Sequence, residues 1–202
     1  MKSALVLLVP ACFLLGCGGQ PAVVSTMEWD AEGSAKLAMQ QFDTDGDGYL
    51  VADELQQCPA FVEALPRMDA DGNGVLIESE VRNRILHLQN SPVKIIQGAV
   101  RVLMDGRPLV GATVTLTPEK FMGDSVSTVS GLTDDSGVAY LSGHNSDFPG
   151  IYLGYYRVAV SKIDGGTETI PAKYNTETTL GYEATDDRQF VDNYHTFRLS
   201  SG

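Results

Sequence analysis

"DTDGDGYLVADE", residues 43–54, sets aspartates on alternate positions, then a glycine, and closes on a glutamate; "DADGNGVLIESE", residues 69–80, repeats the arrangement. A hard divalent cation such as calcium takes about six to eight oxygen ligands at roughly 2.3–2.6 Å, more than one side chain offers. A twelve-residue loop can wrap such an ion if ligands fall on alternate positions and the chain turns sharply midway. In the first loop Asp43, Asp45 and Asp47 occupy positions one, three and five, and Glu54 at twelve reaches back with both oxygens. Gly48 at six permits the positive φ of the turn, and Tyr49 at seven offers its carbonyl. The second loop supplies Asp69, Asp71, Asn73, Gly74, the Val75 carbonyl and Glu80 in the same places.

Positions that would not touch metal agree. Leu50 and Leu76 stand at position eight, and an apolar residue, Phe42 or Met68, precedes each loop. Residue by residue, both stretches resemble paired EF-hands. That resemblance implies two Ca2+ sites, flanking helices, and a short two-strand bridge through Leu50 and Leu76. Position nine departs from the pattern: Val51 and Ile77 replace the polar side chain that usually steers a ligating water, so high affinity is not expected. Only residues 55–68 separate the loops, and Pro59 and Pro66 lie among them, which predicts short middle helices and a compact, rigid pair. Four carboxylates crowd loop one and three crowd loop two, and without a cation they repel. At roughly millimolar calcium outside a cell such sites stay filled, so calcium is expected to be structural.

An extracellular setting follows from the N-terminus, "MKSALVLLVPACFLLGCGG". Lys2 precedes an apolar run of about a dozen residues, too short to span a bilayer and suited to a signal-peptide core. Leu14-Leu15-Gly16-Cys17 resembles the lipobox of bacterial lipoproteins. The resemblance implies cleavage of residues 1–16, lipid on Cys17 and export to the membrane, with the outer membrane favoured because Gly18 is not an aspartate. Residues 17–28 read as a tether. Cys12 leaves with the signal, so Cys58 is the one remaining thiol; it falls among apolar positions and is expected in the core.

The whole chain carries a net charge of −12, and thirteen of its 26 acidic residues lie in residues 28–80 opposite only Lys36 and Arg67. Such a module repels nucleic acid and attracts cations. From residue 29 to 90 the apolar period is helical: Ala38, Met39 and Phe42 share a face, as do Phe61, Ala64, Leu65 and Met68, and then Val81, Ile85 and Leu88. "QNSPVK", residues 89–94, breaks the pattern. Beyond it the period is two, with Ala112, Val114 and Leu116 opposed to Thr113, Thr115 and Thr117, and Tyr156, Val158 and Val160 opposed to Arg157, Ala159 and Ser161. The expected fold is therefore α+β in two domains: a paired helical metal-binding module over 29–90, then an antiparallel β-sandwich of seven to eight strands over 94–202, without helix.

"GAVRVLMDGRPLVGATVTLTP" (98–118), "GLTDDSGVAYLSG" (131–143) and "PGIYLGYYRVAVS" (149–161) resemble the carboxypeptidase-regulatory-like, transthyretin-like sandwich. "TETIPAKYNTETTLGYEATDD" (167–187) resembles a segment of exported lipoproteins of planctomycete-type bacteria, a likeness that implies no activity. Within it, Lys173, Tyr174 and Asn175 offer a binding edge, against the plainer reading of a solvated, threonine-rich strand and loop. No enzyme is expected, because His87, His144 and His195 lack zinc-ligand spacing and no nucleophile or phosphate-cradling motif occurs. The leading expectation is a lipid-anchored envelope protein whose calcium-stiffened module presents a sandwich as a spacer, adhesion or protein-interaction element. Two alternatives stand beside it: a dockerin-like calcium-dependent docking module for an envelope partner, and a polysaccharide-binding sandwich with Tyr152, Tyr155 and Tyr174 exposed on one face.

Overall fold

A computed structural model describes residues 30–124, 126–143, 150–187 and 194–202. The stretch expected to be a signal peptide, Cys17, the expected tether and His144 lie outside the described residues. Four helices come first, α1 (Ala31–Phe42), α2 (Ala52–Leu55), α3 (Pro59–Met68) and α4 (Glu78–Asn90). Two short strands, β1 (Tyr49–Leu50) and β2 (Leu76–Ile77), pair antiparallel with Leu50 opposite Leu76. α1 buries Ala38, Met39 and Phe42, and gives way at Asp43, whose side chain competes for loop N–H groups. α2 has only four residues. α3 starts at Pro59, where a missing N–H costs nothing, and contains Pro66 near its end. The short middle helices expected from the prolines are present.

Strands follow in chain order: β3 (Ile95–Ile96), β4 (Ala99–Met104), β5 (Arg107–Pro108), β6 (Thr113–Pro118), β7 (Val129–Leu132), β8 (Val138–Tyr140), β9 (Ser142–Gly143), β10 (Ile151–Tyr152), β11 (Gly154–Ser161), β12 (Ile163–Asp164), β13 (Thr167–Glu168), β14 (Leu180–Ala184) and β15 (His195–Leu199). One sheet runs β14-β11-β6-β7-β9, all antiparallel, and a second runs β15-β4-β5 with β8 also beside β4. Asp105 and Gly106, at φ 51° and 79°, make the tight turn between β4 and β5 that an Asp-Gly pair favours. The predicted alternation is present: Ala112, Val114, Leu116, Tyr156, Val158 and Val160 are all buried. Tyr182 on β14 meets His195 and Phe197 on β15 at ring separations of 5.1 and 6.5 Å, so the inner faces of the two sheets touch.

Four expectations need correction. Among the described residues the strand-rich half holds thirteen strands, β3–β15, and not seven to eight, because six of them are two-residue pairings that leave no alternating pattern to read. β15 pairs β4 in parallel, because β15 arrives from β14 in the other sheet and not through a hairpin, the connection that would force the antiparallel sense. Two single 3-10 turns, Lys120–Met122 and Ala172–Tyr174, interrupt the strands. The stretch around 180–185 is no solvated strand, since Tyr182, Glu183, Ala184 and Thr185 are buried.

One hydrophobic cluster runs from α1 through to Leu199. At its centre Phe61 of α3 meets Tyr155 of β11 edge-on at 5.3 Å, with Phe121 at 5.0 Å and Phe42 at 6.0 Å from Phe61. Tyr155 therefore faces the helices while its neighbour Tyr156 faces the other sheet. α3 comes so close to β14 that a Cβ on Gly181 would lie 2.0 Å from the Pro59 carbonyl carbon and 2.1 Å from the Ala60 nitrogen. Neither backbone atom can swing aside. Gly181→Ala is accordingly expected to cost about 3 kcal/mol, read as a lower urea midpoint with an unchanged slope.

Candidate metal centre

Each acidic loop is shaped first by its own backbone donors. The Asp43 carboxylate accepts N–H groups from Gly46 at 2.7 Å and Gly48 at 3.0 Å, and Asp69 accepts the equivalent pair from Gly72 and Gly74, both at 2.8 Å. Gly48 and Gly74 hold φ at 88° and 82°, the left-handed turn that a side chain would strain. The closing glutamates fold inward in the same way. Glu54 accepts the Thr44 N–H at 2.7 Å and the Val51 N–H at 3.1 Å, and Glu80 accepts those of Ala70 at 2.9 Å and Ile77 at 3.1 Å. Val51 and Ile77 are the N-cap residues of α2 and α4. Each glutamate thus satisfies an otherwise orphaned helix N–H, while the apolar cap returns no bond.

The result is convergence. Carboxylate oxygens of Asp43, Asp45 and Glu54 lie within 4.8 Å of one another, and those of Asp69, Asp71 and Glu80 do the same. Asp47 is outside the first trio; its carboxylate accepts the Tyr49 N–H at 2.9 Å, as Asn73 Oδ1 accepts the Val75 N–H at 2.9 Å. Tyr49 opens β1 opposite Ile77, and Val75 immediately precedes β2, so the two loops stand back to back across the β1–β2 pair. Oxygen alone makes up both trios, with neither thiol nor imidazole, a set suited to a hard cation and not a soft one.

Backbone N–H donors also govern ionisation. The Val51 and Thr44 amides hold the Glu54 carboxyl below its ordinary range, and the Gly74 amide chiefly does so for Asp69. A carboxylate with a depressed folded pKa adds stability that is present above its unfolded value of about 4 and is lost as pH falls through the folded one. Loop order should therefore be unaffected from pH 7 down to about pH 5 and decline below about pH 4. Chemical shifts of the Gly48 and Gly74 amides across an acid titration check this.

A second charged cluster went unread in the sequence. Glu183 on β14 is fully buried and takes hydrogen bonds from Arg84 of α4, at 2.7 and 3.1 Å, and from Arg67 Nε of α3. Arg84 also donates to Asp187 at 2.6 and 3.0 Å, and holds that carboxyl well below the usual carboxylate range. His87 Nε2 stands 3.2 Å from Asp187, and Glu63 pairs with Arg67. One signal was available: Arg84 falls on the stripe of Val81, Ile85 and Leu88, and a guanidinium on an apolar face implies a buried partner.

Cys58 is a buried core thiol, as expected, and burial pushes its pKa up. Of the tyrosines proposed for an exposed face, Tyr155 is 0% exposed and Tyr152 and Tyr174 are half-buried, so no such face forms. Tyr174 hydrogen-bonds Ser200 at 3.1 Å and Asn175 donates to Glu168 at 2.7 Å, while Lys173 remains exposed. No protein-family model matches the chain, and comparison with curated proteins and with solved structures finds no match either. Among the described residues, no helix is long and apolar enough to cross a membrane.

Proposed function

We propose that residues 43–54 and 69–80 are a pair of EF-hand calcium sites, and that calcium in them is structural. The carrying observation is the repeated convergence of Asp43, Asp45 and Glu54 and of Asp69, Asp71 and Glu80, each trio within 4.8 Å, on loops joined by one strand pair. Tyr49 and Val75 would add carbonyls, and Asp47 and Asn73 would complete each set. Calcium's role is charge neutralisation, which lets acidic segments at helix ends settle against one another.

On this reading the strand-rich half is a transthyretin-like β-sandwich and the whole an exported, lipid-anchored envelope protein without catalytic activity. The sandwich acts as a spacer or as a protein-interaction or adhesion element. Burial of Tyr155 supports that role over a sugar-binding aromatic face. Contacts between the helices and β14 support a structural calcium module over a docking one, because α3 already spends its apolar face on the sheet.

Calorimetric titration of the delipidated chain with calcium tests the proposal. Two equivalents are expected to bind with dissociation constants of about 10⁻⁴ M or tighter. Absence of any binding heat at millimolar calcium would sink it.

A further inference from the structure

Glu183 ties together the two helices that flank the second acidic loop. Arg67 lies two residues before Asp69, at the end of α3, and Arg84 lies four residues after Glu80, one turn along α4. Both reach the same buried carboxylate. One turn earlier on α3, Glu63 accepts the backbone N–H of Glu183 at 2.8 Å. Among the described residues β14 is an edge strand, paired only with β11 in its sheet. An N–H that goes to α3 is one that β11 does not use, so α3 covers the outer edge of β14 with a side-chain acceptor. The first loop is differently placed: α1 packs on α4 and on the turn Lys120–Met122, and Phe42 at its end meets Phe61 and Phe121.

We propose that occupancy of the second acidic loop controls the cover of the β14 edge. With a cation gathered by Asp69, Asp71 and Glu80, α3 and α4 sit at the spacing at which Arg67 and Arg84 share Glu183. Without it, repulsion among those carboxylates drives the end of α3 from the start of α4. A planar guanidinium fork tolerates little displacement, and a buried carboxylate that loses one partner is costly, so the clamp opens as a unit. Glu63 then leaves the Glu183 N–H, and the outer edge of β14 loses its side-chain cover. Linkage makes the effect reciprocal: weakening the clamp must weaken cation binding at loop two. This rests on the calcium reading above and adds a consequence for a strand that touches no ligand.

Amide hydrogen exchange in the full chain, read at Glu183, tests it with calcium as the probe. The Val160 amide on central strand β11 reports in the same spectra whether the sheet is folded. Calcium is expected to slow exchange at Glu183 by about tenfold or more relative to chelator, with Val160 little changed. Glu80→Gln should abolish the slowing and Glu54→Gln should retain most of it. Glu183→Gln, at a residue whose hydrogen bonds go to Arg67, Arg84 and Glu63 and not to the loop, should weaken calcium at loop two by about fivefold or more. Should a variant fail to fold, the unmodified chain with and without calcium still decides. Calcium binding with heat but no change at the Glu183 amide would overturn the relay and leave the calcium sites intact. Equal loss in the Glu54→Gln and Glu80→Gln variants would overturn the assignment to loop two. No binding heat at all would remove the calcium reading, and this proposal with it.

Discussion

Glu54→Gln combined with Glu80→Gln is expected to erase most of the stability that calcium confers. At free calcium about a hundredfold above its dissociation constant, each site adds about 2.7 kcal/mol, or about 5 kcal/mol for two. Glutamine keeps one oxygen to accept the Thr44 or Ala70 amide, so the loop retains an internal bond while losing a charge and a ligand atom. Thermal unfolding in millimolar calcium and in chelator separates the two contributions. The unmodified chain should melt far higher with calcium than without, and the double variant should melt at nearly the same temperature in both. In chelator the variant should melt somewhat below the unmodified chain, because the charged acceptors of the Val51 and Ile77 amides are gone. An unchanged calcium-dependent shift in the double variant would exclude Glu54 and Glu80 as ligands.

The other large effect belongs to Arg84, whose side chain is 7% exposed. Arg84→Met removes the guanidinium shared by Glu183 and Asp187 and leaves the fully buried Glu183 carboxylate with Arg67 as its one remaining guanidinium, at a cost of about 3 kcal/mol. Urea unfolding at pH 7 would show the deficit. Acid should narrow it. Asp187 is held at a depressed pKa by Arg84, so the stability it contributes is present above an unfolded value of about 4 and is lost as pH falls through the folded one. Parent and variant curves are therefore expected to approach each other toward pH 3, whereas a deficit of purely steric origin would persist.

The convergence of the two acidic loops was readable in the sequence because its information is local. Alternate aspartates, Gly48 and Gly74, and the terminal glutamates lie within twelve residues of one another, and their side chains bond the backbone of their own loops. The apolar alternation of 112–116 and 156–160 was readable for the same reason, since a strand's two faces are fixed by neighbours in sequence. What joins the helices to the sheets was not. Glu183 meets Arg67 and Arg84 across separations of 116 and 99 residues, and no periodicity encodes such a meeting. Tyr155 was misplaced because it precedes Tyr156 in a strand covered on both sides, by α3 on one and the second sheet on the other, so its exposure cannot be inferred from alternation alone. The parallel sense of β15 depends on a crossing between sheets and likewise leaves no trace along the chain.

The close approach of Pro59 and Ala60 to Gly181 bears on how this polypeptide can be dissected. Cutting at residues 89–94, where the apolar period changes, would give one fragment with Phe61 uncovered and another with Tyr155 and the Gly181 groove laid bare. Neither half is a cassette that could be grafted elsewhere without its counterpart. Nor is the 89–94 connection a free linker, because Ser91 is buried and donates to Asp186 while Lys94 donates to the Gln89 and Ser91 carbonyls.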